Sequence, residues 1–316
     1  MEANQKYYVW KDNKTELASM QEAFPFLCGN TNEKPVISLV GGGGKTTTMY
    51  ALANAFWQQG KRVLVTTTTH IRSTEIGLED LLAEWERAQQ EQAEREHAQQ
   101  EQAECECAQQ EQAAWGHIQR KQPVPVQEES VQETGRVIFA ENLAQAEQLW
   151  EMNHIVVIGT GRKGEKISMP DPVFLAATMD RADVIVIEAD GAKCLPCKVP
   201  VENEPVILPE CNVVIGVMGM DTLGQPAADI CFRYERAREL LHFQDGHVIS
   251  QDDMAQILTS DQGTRKLVEN RDFYVVLNKC DTEERLVAAG QIGKKIQTLG
   301  GDEKVRQVVF SCYRDK

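Results

Sequence analysis

The stretch of this 316-residue chain best suited to chemistry is Gly41-Gly42-Gly43-Gly44-Lys45-Thr46, followed by Thr47. Glycines let backbone N–H groups come close to phosphate oxygens. A helix opening at Thr46 adds the positive end of its dipole. Lys45 then reaches the β- and γ-phosphates, and the Thr46 hydroxyl ligates Mg²⁺. These residue types in this order predict a site for a nucleoside triphosphate, ATP or GTP, with Mg²⁺.

The usual phosphate loop has a glycine, four residues, then Gly-Lys-Thr, and here Leu39 stands at the first position. What remains is the shorter Gly-x-x-Gly-Lys-Thr-Thr form, which resembles the loop of Mur-type ligases. A second carboxylate-bearing element is expected to complete the site. Ala182 to Asp190 (ADVIVIEAD) is an apolar run ending in acids. Glu188 and Asp190 alternate, so they share one side of a strand, and such acids hold Mg²⁺ or its shell water. Asp190 is the favoured metal residue, with Thr46.

Two further groups belong at strand ends, where ligands of open α/β sheets bind. Thr66 to Thr69 with His70 close one strand, and Thr68, Thr69 and His70 face phosphate, metal or a second substrate; four threonines are equally good strand formers. Asn278-Lys279-Cys280-Asp281 matches the Asn-Lys-x-Asp element that reads guanine, with Asp281 accepting from the base, but Asn and Asp are also common turn formers. Cys194-Leu-Pro-Cys197 is a single Cys-x-x-Cys, short of the two pairs a zinc site wants. Two incidental cysteines is the plainer reading.

The elements that must position these groups are legible in outline. Pro35 to Val40 reads as a strand, Thr46 to Gln59 as a helix stopped by Gly60, and Arg62 to Thr69 as a second strand. After an interruption, strands are expected at Arg136–Ala140, His154–Gly159, Ala182–Asp190, Asn212–Gly219, Asp272–Lys279 and Val305–Cys312. Helices are expected at Asn142–Trp150, Asp171–Asp180, Ile230–Leu241, Asp253–Thr259, Thr264–Asn270 and Thr282–Leu299. Apolar strands alternating with helices predict an α/β, P-loop NTPase-like fold: a mostly parallel sheet with helices on both faces. This domain spans 35–316, after an N-terminal extension over 1–34. It is interrupted by a low-complexity insertion over 85–134, in which Ala-Gln-Gln-Glu-Gln-Ala starts at Ala88, Ala98 and Ala108. So few large apolar side chains cannot build a core.

Net charge is −15, and the tract from Glu84 to Glu129 alone carries eleven acids against four bases. The rest shows no basic stripe, so nucleic acid is not an expected partner. No apolar run approaches the roughly 20 residues that span a bilayer, and the polar start reads as lacking a secretory signal. Nine scattered cysteines read as reduced thiols of a cytoplasmic protein.

Read together, the blocks ISLVGGGGKTTTMYALA, GKRVLVTTTTHI, ADVIVIEADGAKCLPCKVP, NVVIGVMGMDTLG and VLNKCD closely resemble the YqeC family of selenium-cofactor accessory proteins. The resemblance runs from about Pro35 to Cys312 apart from the insertion. It implies a role in making or inserting a labile selenium cofactor in a selenium-dependent molybdenum hydroxylase, with that enzyme or its cofactor-maturation proteins as partners. It carries Gly44, Lys45 and Thr46 as nucleotide-loop residues and His70, Glu188, Asp190 and Lys193 as site residues. Cys194 and Cys197 stand outside the family pattern. A Mg²⁺-dependent NTPase is the leading expectation. An ATP-dependent transferase or ligase acting on a small acceptor, and a non-hydrolysing nucleotide-switched chaperone, are the alternatives.

Overall fold

The computed structural model describes residues 6–28, 33–68, 137–160 and 167–312. The strands among them are β1 Lys6–Lys11, β2 Lys14–Ala18, β3 Val36–Gly41, β4 Val63–Thr67, β5 Val137–Phe139, β6 Ile155–Val157, β7 Val184–Glu188, β8 Cys197–Lys198, β9 Val213–Gly219, β10 Cys231–Phe232, β11 Asp272–Asn278 and β12 Gln307–Cys312. The helices are α1 Met20–Ala23, α2 Lys45–Gln58, α3 Leu143–Glu151, α4 Pro172–Arg181, α5 Ala227–Ile230, α6 Tyr234–Leu241, α7 Gln251–Thr259 and α8 Glu283–Lys304.

Ten strands form one sheet in the order β2-β1-β12-β11-β9-β3-β7-β4-β6-β5. From β12 to β5 the pairings are parallel, whereas β1 runs antiparallel to both β12 and β2. The protein is thus α/β, with a large, mostly parallel sheet flanked by helices. Val36, Ile37, Leu39 and Val40 of β3 and Val184 to Ile187 of β7 are all buried. Each such side chain contributes roughly 1.5–3 kcal/mol relative to exposure. This is why these strands read as unbroken apolar runs rather than as alternation.

The N-terminal residues join this sheet directly. Asp12 and Asn13 both take positive φ, 51° and 62°, the geometry of a two-residue type I′ hairpin turn, and β1 zips onto β12. Two expectations need correction. The helix expected over Ile230–Leu241 is broken: α5 ends at Ile230, β10 follows, and Arg233 at φ 71° restarts the chain as α6. The stretch 264–270 is a series of turns, because Leu267 and Glu269 sit at φ 62° and 54°, outside helical space. His70 and the insertion expected over 85–134 lie outside the described residues. Among the described residues no helix is long and apolar enough to cross a membrane.

β3 is the pivot of the topology. From it the chain passes through α2 to β4, leaving room for β7 between them, and after β7 it crosses to β9 on the other side of β3. The strand order therefore switches at the carboxyl end of β3, where α/β sheets open a crevice for ligands. The glycine loop leaves the sheet at this point.

Candidate functional site

The register of the sheet assembles the site. Leu39 lies opposite Glu188, and Gly41 opposite Val217. Beyond Gly41 the chain is hemmed in on both sides. A Cβ on Gly41 would lie 2.3 Å from the Val217 carbonyl oxygen, and one on Gly43 2.3 Å from the Gly219 nitrogen. Gly41, Gly43 and Gly44 also take φ of 98°, 73° and 124°, which side chains disfavour.

The loop amides divide into two sets. Gly41 N–H donates to both Asp190 carboxylate oxygens at 3.2 and 3.1 Å, Gly42 N–H to Val217 O at 2.9 Å, and Gly43 N–H to Leu195 O at 3.1 Å. These three glycines give the loop its shape, and their amides are spent within the protein. The first intrahelical bond of α2 is Thr48 N–H to Gly44 O at 3.0 Å, so the amides of Gly44, Lys45, Thr46 and Thr47 precede the helical ladder. Five other helices cap themselves, with Ser19, Asn142, Asp171, Ser250 and Thr282. The N-cap of α2 is Gly44, which makes no side-chain cap. The amides left for the anion binding expected from the sequence are therefore those of residues 44–47 rather than of the whole glycine run.

Lys45, 4% exposed, turns back under this end. Its ammonium donates to Gly41 O at 2.7 Å and lies 3.2 Å from Asp190 Oδ1 and 3.6 Å from Glu188 Oε1. Burial alone would pull its pKa down, but Asp190 and Glu188 outweigh it and the net shift is upward. Glu188 moves the same way for another reason: burial pushes its carboxyl up and the Asp190 charge adds to this, against the opposing pull of Lys45. The Thr46 hydroxyl donates to Glu188 Oε2 at 3.1 Å. Lys45, Thr46, Glu188 and Asp190 thus form one cluster, with both acids on the Lys45 side of β7.

A second lysine, which the motifs do not reveal, completes it. Lys198 in β8 has a side chain that is 0% exposed, 3.2 Å from Asp190 Oδ2 and 3.0 Å from Glu204 Oε2, and it donates to Gly191 O at 2.8 Å. Its signal in the sequence is weak: one lysine inside the apolar run Pro196-Cys197-Lys198-Val199-Pro200. Asp190 consequently meets Gly41 and a lysine on each oxygen, while Glu188 keeps the sparser shell. A cation near Thr46 would find Glu188 the freer ligand.

The other expected residues fall outside this cluster. The Thr66, Thr67 and Thr68 hydroxyls donate to the carbonyls of Ile158, Glu188 and Val206, so they tie strands together. Asn278 Nδ2 donates to Gly43 O at 3.0 Å, and its Oδ1 accepts from Ser311 Oγ and Lys279 N–H. Asp281 accepts from Cys312 Sγ at 3.3 Å and lies 3.8 Å from Arg285. Lys279 pairs with Asp221 at 2.5 Å. The Cys-x-x-Cys cysteines separate: Cys194 is exposed, and Cys197 is buried with its sulfur 3.4 Å from that of Cys231. Among the described residues no group of three or more His, Cys, Asp or Glu side chains could by itself cage a metal.

A cavity of about 410 Å³, lined in part by Pro35, Asn212, Arg271 and Asp272, opens at the amino-terminal ends of β3, β9 and β11. Arg271 there is taken by Cys211 O and Glu269. The buried charges converge at the opposite end of the sheet, on the start of α2.

The model of the YqeC protein family matches residues 37–141 and 117–235 of this chain. The chain belongs to the YqeC family. A curated relative, an uncharacterized YqeC protein of Escherichia coli (strain K12), is 25% identical over 271 residues, 85% of each chain. No solved structure matches the chain. The YqeC match contains the glycine loop, Glu188, Asp190, Lys198 and Glu204. Asn278 and Asp281 lie beyond it.

Proposed function

We propose that this YqeC-family protein is a cytoplasmic, P-loop NTPase-like accessory protein that binds ATP or GTP with Mg²⁺ at residues 44–47 and hydrolyses it. The observation that carries the reading is Lys45. It is a buried ammonium kept charged by two acids, at the uncapped start of a helix, at the switch point of a parallel sheet. Asp190, Glu188 and Gly41 O already pair that charge, and the uncapped helix start beside it is the kind of end that takes a phosphate group, which supports the reading.

The donor set fits Mg²⁺, which is bound through one or two carboxylates together with substrate phosphates rather than by an all-protein cage. Glu188 and the Thr46 hydroxyl would hold it, and it would supply charge neutralisation on the transferring phosphoryl group. The amides of Gly44 to Thr47 orient the phosphates, and Lys45 stabilises negative charge developing on them. Asp190 orients Lys45 and closes the Gly41 turn, and Lys198 balances its charge. The resemblance set out above supplies the pathway: assistance in making or inserting a selenium cofactor in a selenium-dependent molybdenum hydroxylase.

The test is Mg²⁺-dependent release of phosphate from ATP and GTP by the full chain, alone and with the hydroxylase. Lys45→Ala is expected to lower turnover by on the order of 100-fold or more, the scale of losing one transition-state charge contact. Full activity in Lys45→Ala would remove the reading. Calorimetric titration of Asp281→Ala with both nucleotides decides the base: selective loss of GTP affinity assigns guanine recognition to Asp281, and unchanged GTP affinity withdraws it.

A further inference from the structure

A second cationic cluster lies on the segment that covers the glycine loop. Leu195 O holds Gly43 N–H and Pro196 O holds Gly219 N–H, each at 3.1 Å. The same segment begins with Lys193 and Cys194, both exposed. Its strand β8 pairs in parallel with β10, Lys198 opposite Phe232. Three cations gather on the Phe232 ring: Lys193 Nζ at 5.2 Å from its centre, Lys198 Nζ at 5.7 Å and Arg233 Cζ at 4.5 Å.

Two features set this cluster apart from a solvated surface. The first is charge. In a chain of net charge −15, Lys193 has no carboxylate within ion-pair distance among the described residues. Arg233 shares Glu204, at 3.2 Å, with the buried Lys198. Cation–aromatic contacts at exposed positions are weak, so Lys193 rests on Phe232 in a form that a charge-assisted hydrogen bond would displace, while Arg233 holds Glu204 through Nη2 alone. The second is backbone. Lys193, Cys194 and Arg233 sit at φ 49°, 60° and 71°. Residues without a short polar side chain avoid that region, and such strain collects at ligand clamps when surrounding structure enforces it.

We propose that Lys193 and Arg233, backed by the Phe232 face, form an oxyanion-binding subsite for the phosphate or carboxylate group of a small molecule. The subsite is separate from residues 44–47. It shares with them the 193–198 segment, whose carbonyls shape the glycine loop.

Cys194 supplies the reporter. In the full-length protein, the rate of Cys194 alkylation by iodoacetamide is followed by mass spectrometry during titration with pyrophosphate and, separately, citrate. Bound anion slows Cys194 several-fold at saturation and leaves Cys28 unchanged. Protection by pyrophosphate assigns a phosphoryl ligand, and protection by citrate a carboxylate. Lys193→Gln/Arg233→Gln abolishes the protection, Lys193→Arg/Arg233→Lys retains it, and Lys45→Ala retains it. Should the Gln pair lose its circular dichroism spectrum, Lys193→Gln alone, at an exposed position, carries the comparison. No protection in the wild-type protein, equal protection in the Gln variant, or its loss in Lys45→Ala would each overturn the proposal.

Discussion

Asn278 occupies the space that any side chain at Gly44 would need. Its Nδ2 holds Gly43 O at 3.0 Å, and a Cβ on Gly44 would lie 1.8 Å from that same nitrogen. The end of β11 thereby fixes the glycine loop from behind, and Ser311 in β12 fixes Asn278 in turn at 3.1 Å.

Gly44→Ala must therefore displace Asn278 and also adopt φ 124°. The expected cost is about 1–3 kcal/mol for the backbone alone, seen as a lower urea midpoint. Nucleotide affinity should fall at least tenfold by calorimetry, because the start of α2 moves. Asn278→Ala, which removes the obstacle and the tie together, should cost less stability yet still weaken binding. An unaltered midpoint in Gly44→Ala would contradict the tight contact.

Lys198 balances Asp190 and Glu204 at full burial. Lys198→Met keeps the bulk and removes the charge, leaving the two acids short of a cation. Breaking a buried pair in this way costs roughly 3–5 kcal/mol. Adding Asp190→Asn should recover part of the loss, since one of the orphaned charges goes with it. Additive losses across that double-mutant cycle, measured by equilibrium unfolding, would show that the two residues do not interact.

Glu188 gives stability a particular pH dependence. Burial holds its folded-state pKa above the ordinary glutamate value of 4.5. The folded protein thus keeps this proton more tightly than the unfolded chain. The associated stability is complete below 4.5 and is lost as pH rises through the folded value. Glu188→Gln should remove that component, so the decline in unfolding free energy above 4.5 becomes shallower than in the wild-type protein. Lys45→Met should extend it to higher pH, because Lys45 is the charge that holds Glu188 down. Matching pH profiles for all three proteins would exclude this role for burial.

The sequence by itself determined the glycine loop, the strand ending in Glu188 with Asp190 just beyond it, the parallel-sheet rhythm and the family. Those features are local: a run of β-branched residues, a glycine turn and an alternation of two acids each state their own geometry. Residues such as Arg233, Leu267 and Glu269 escaped that reading, because a left-handed backbone at Arg, Leu or Glu is imposed by its surroundings rather than by its own preference. Only the tertiary structure decided which amides the loop spends internally, that Asn278 braces the loop, and that Lys198 enters the cluster. The physical reason is distance along the chain. Asn278 and Gly43 are 235 residues apart, and their contact follows from the order β11-β9-β3, which no local pattern encodes. Burial likewise belongs to the assembled sheet, so the choice between Glu188 and Asp190 as the freer carboxylate became readable only once Lys198 was seen beside Asp190.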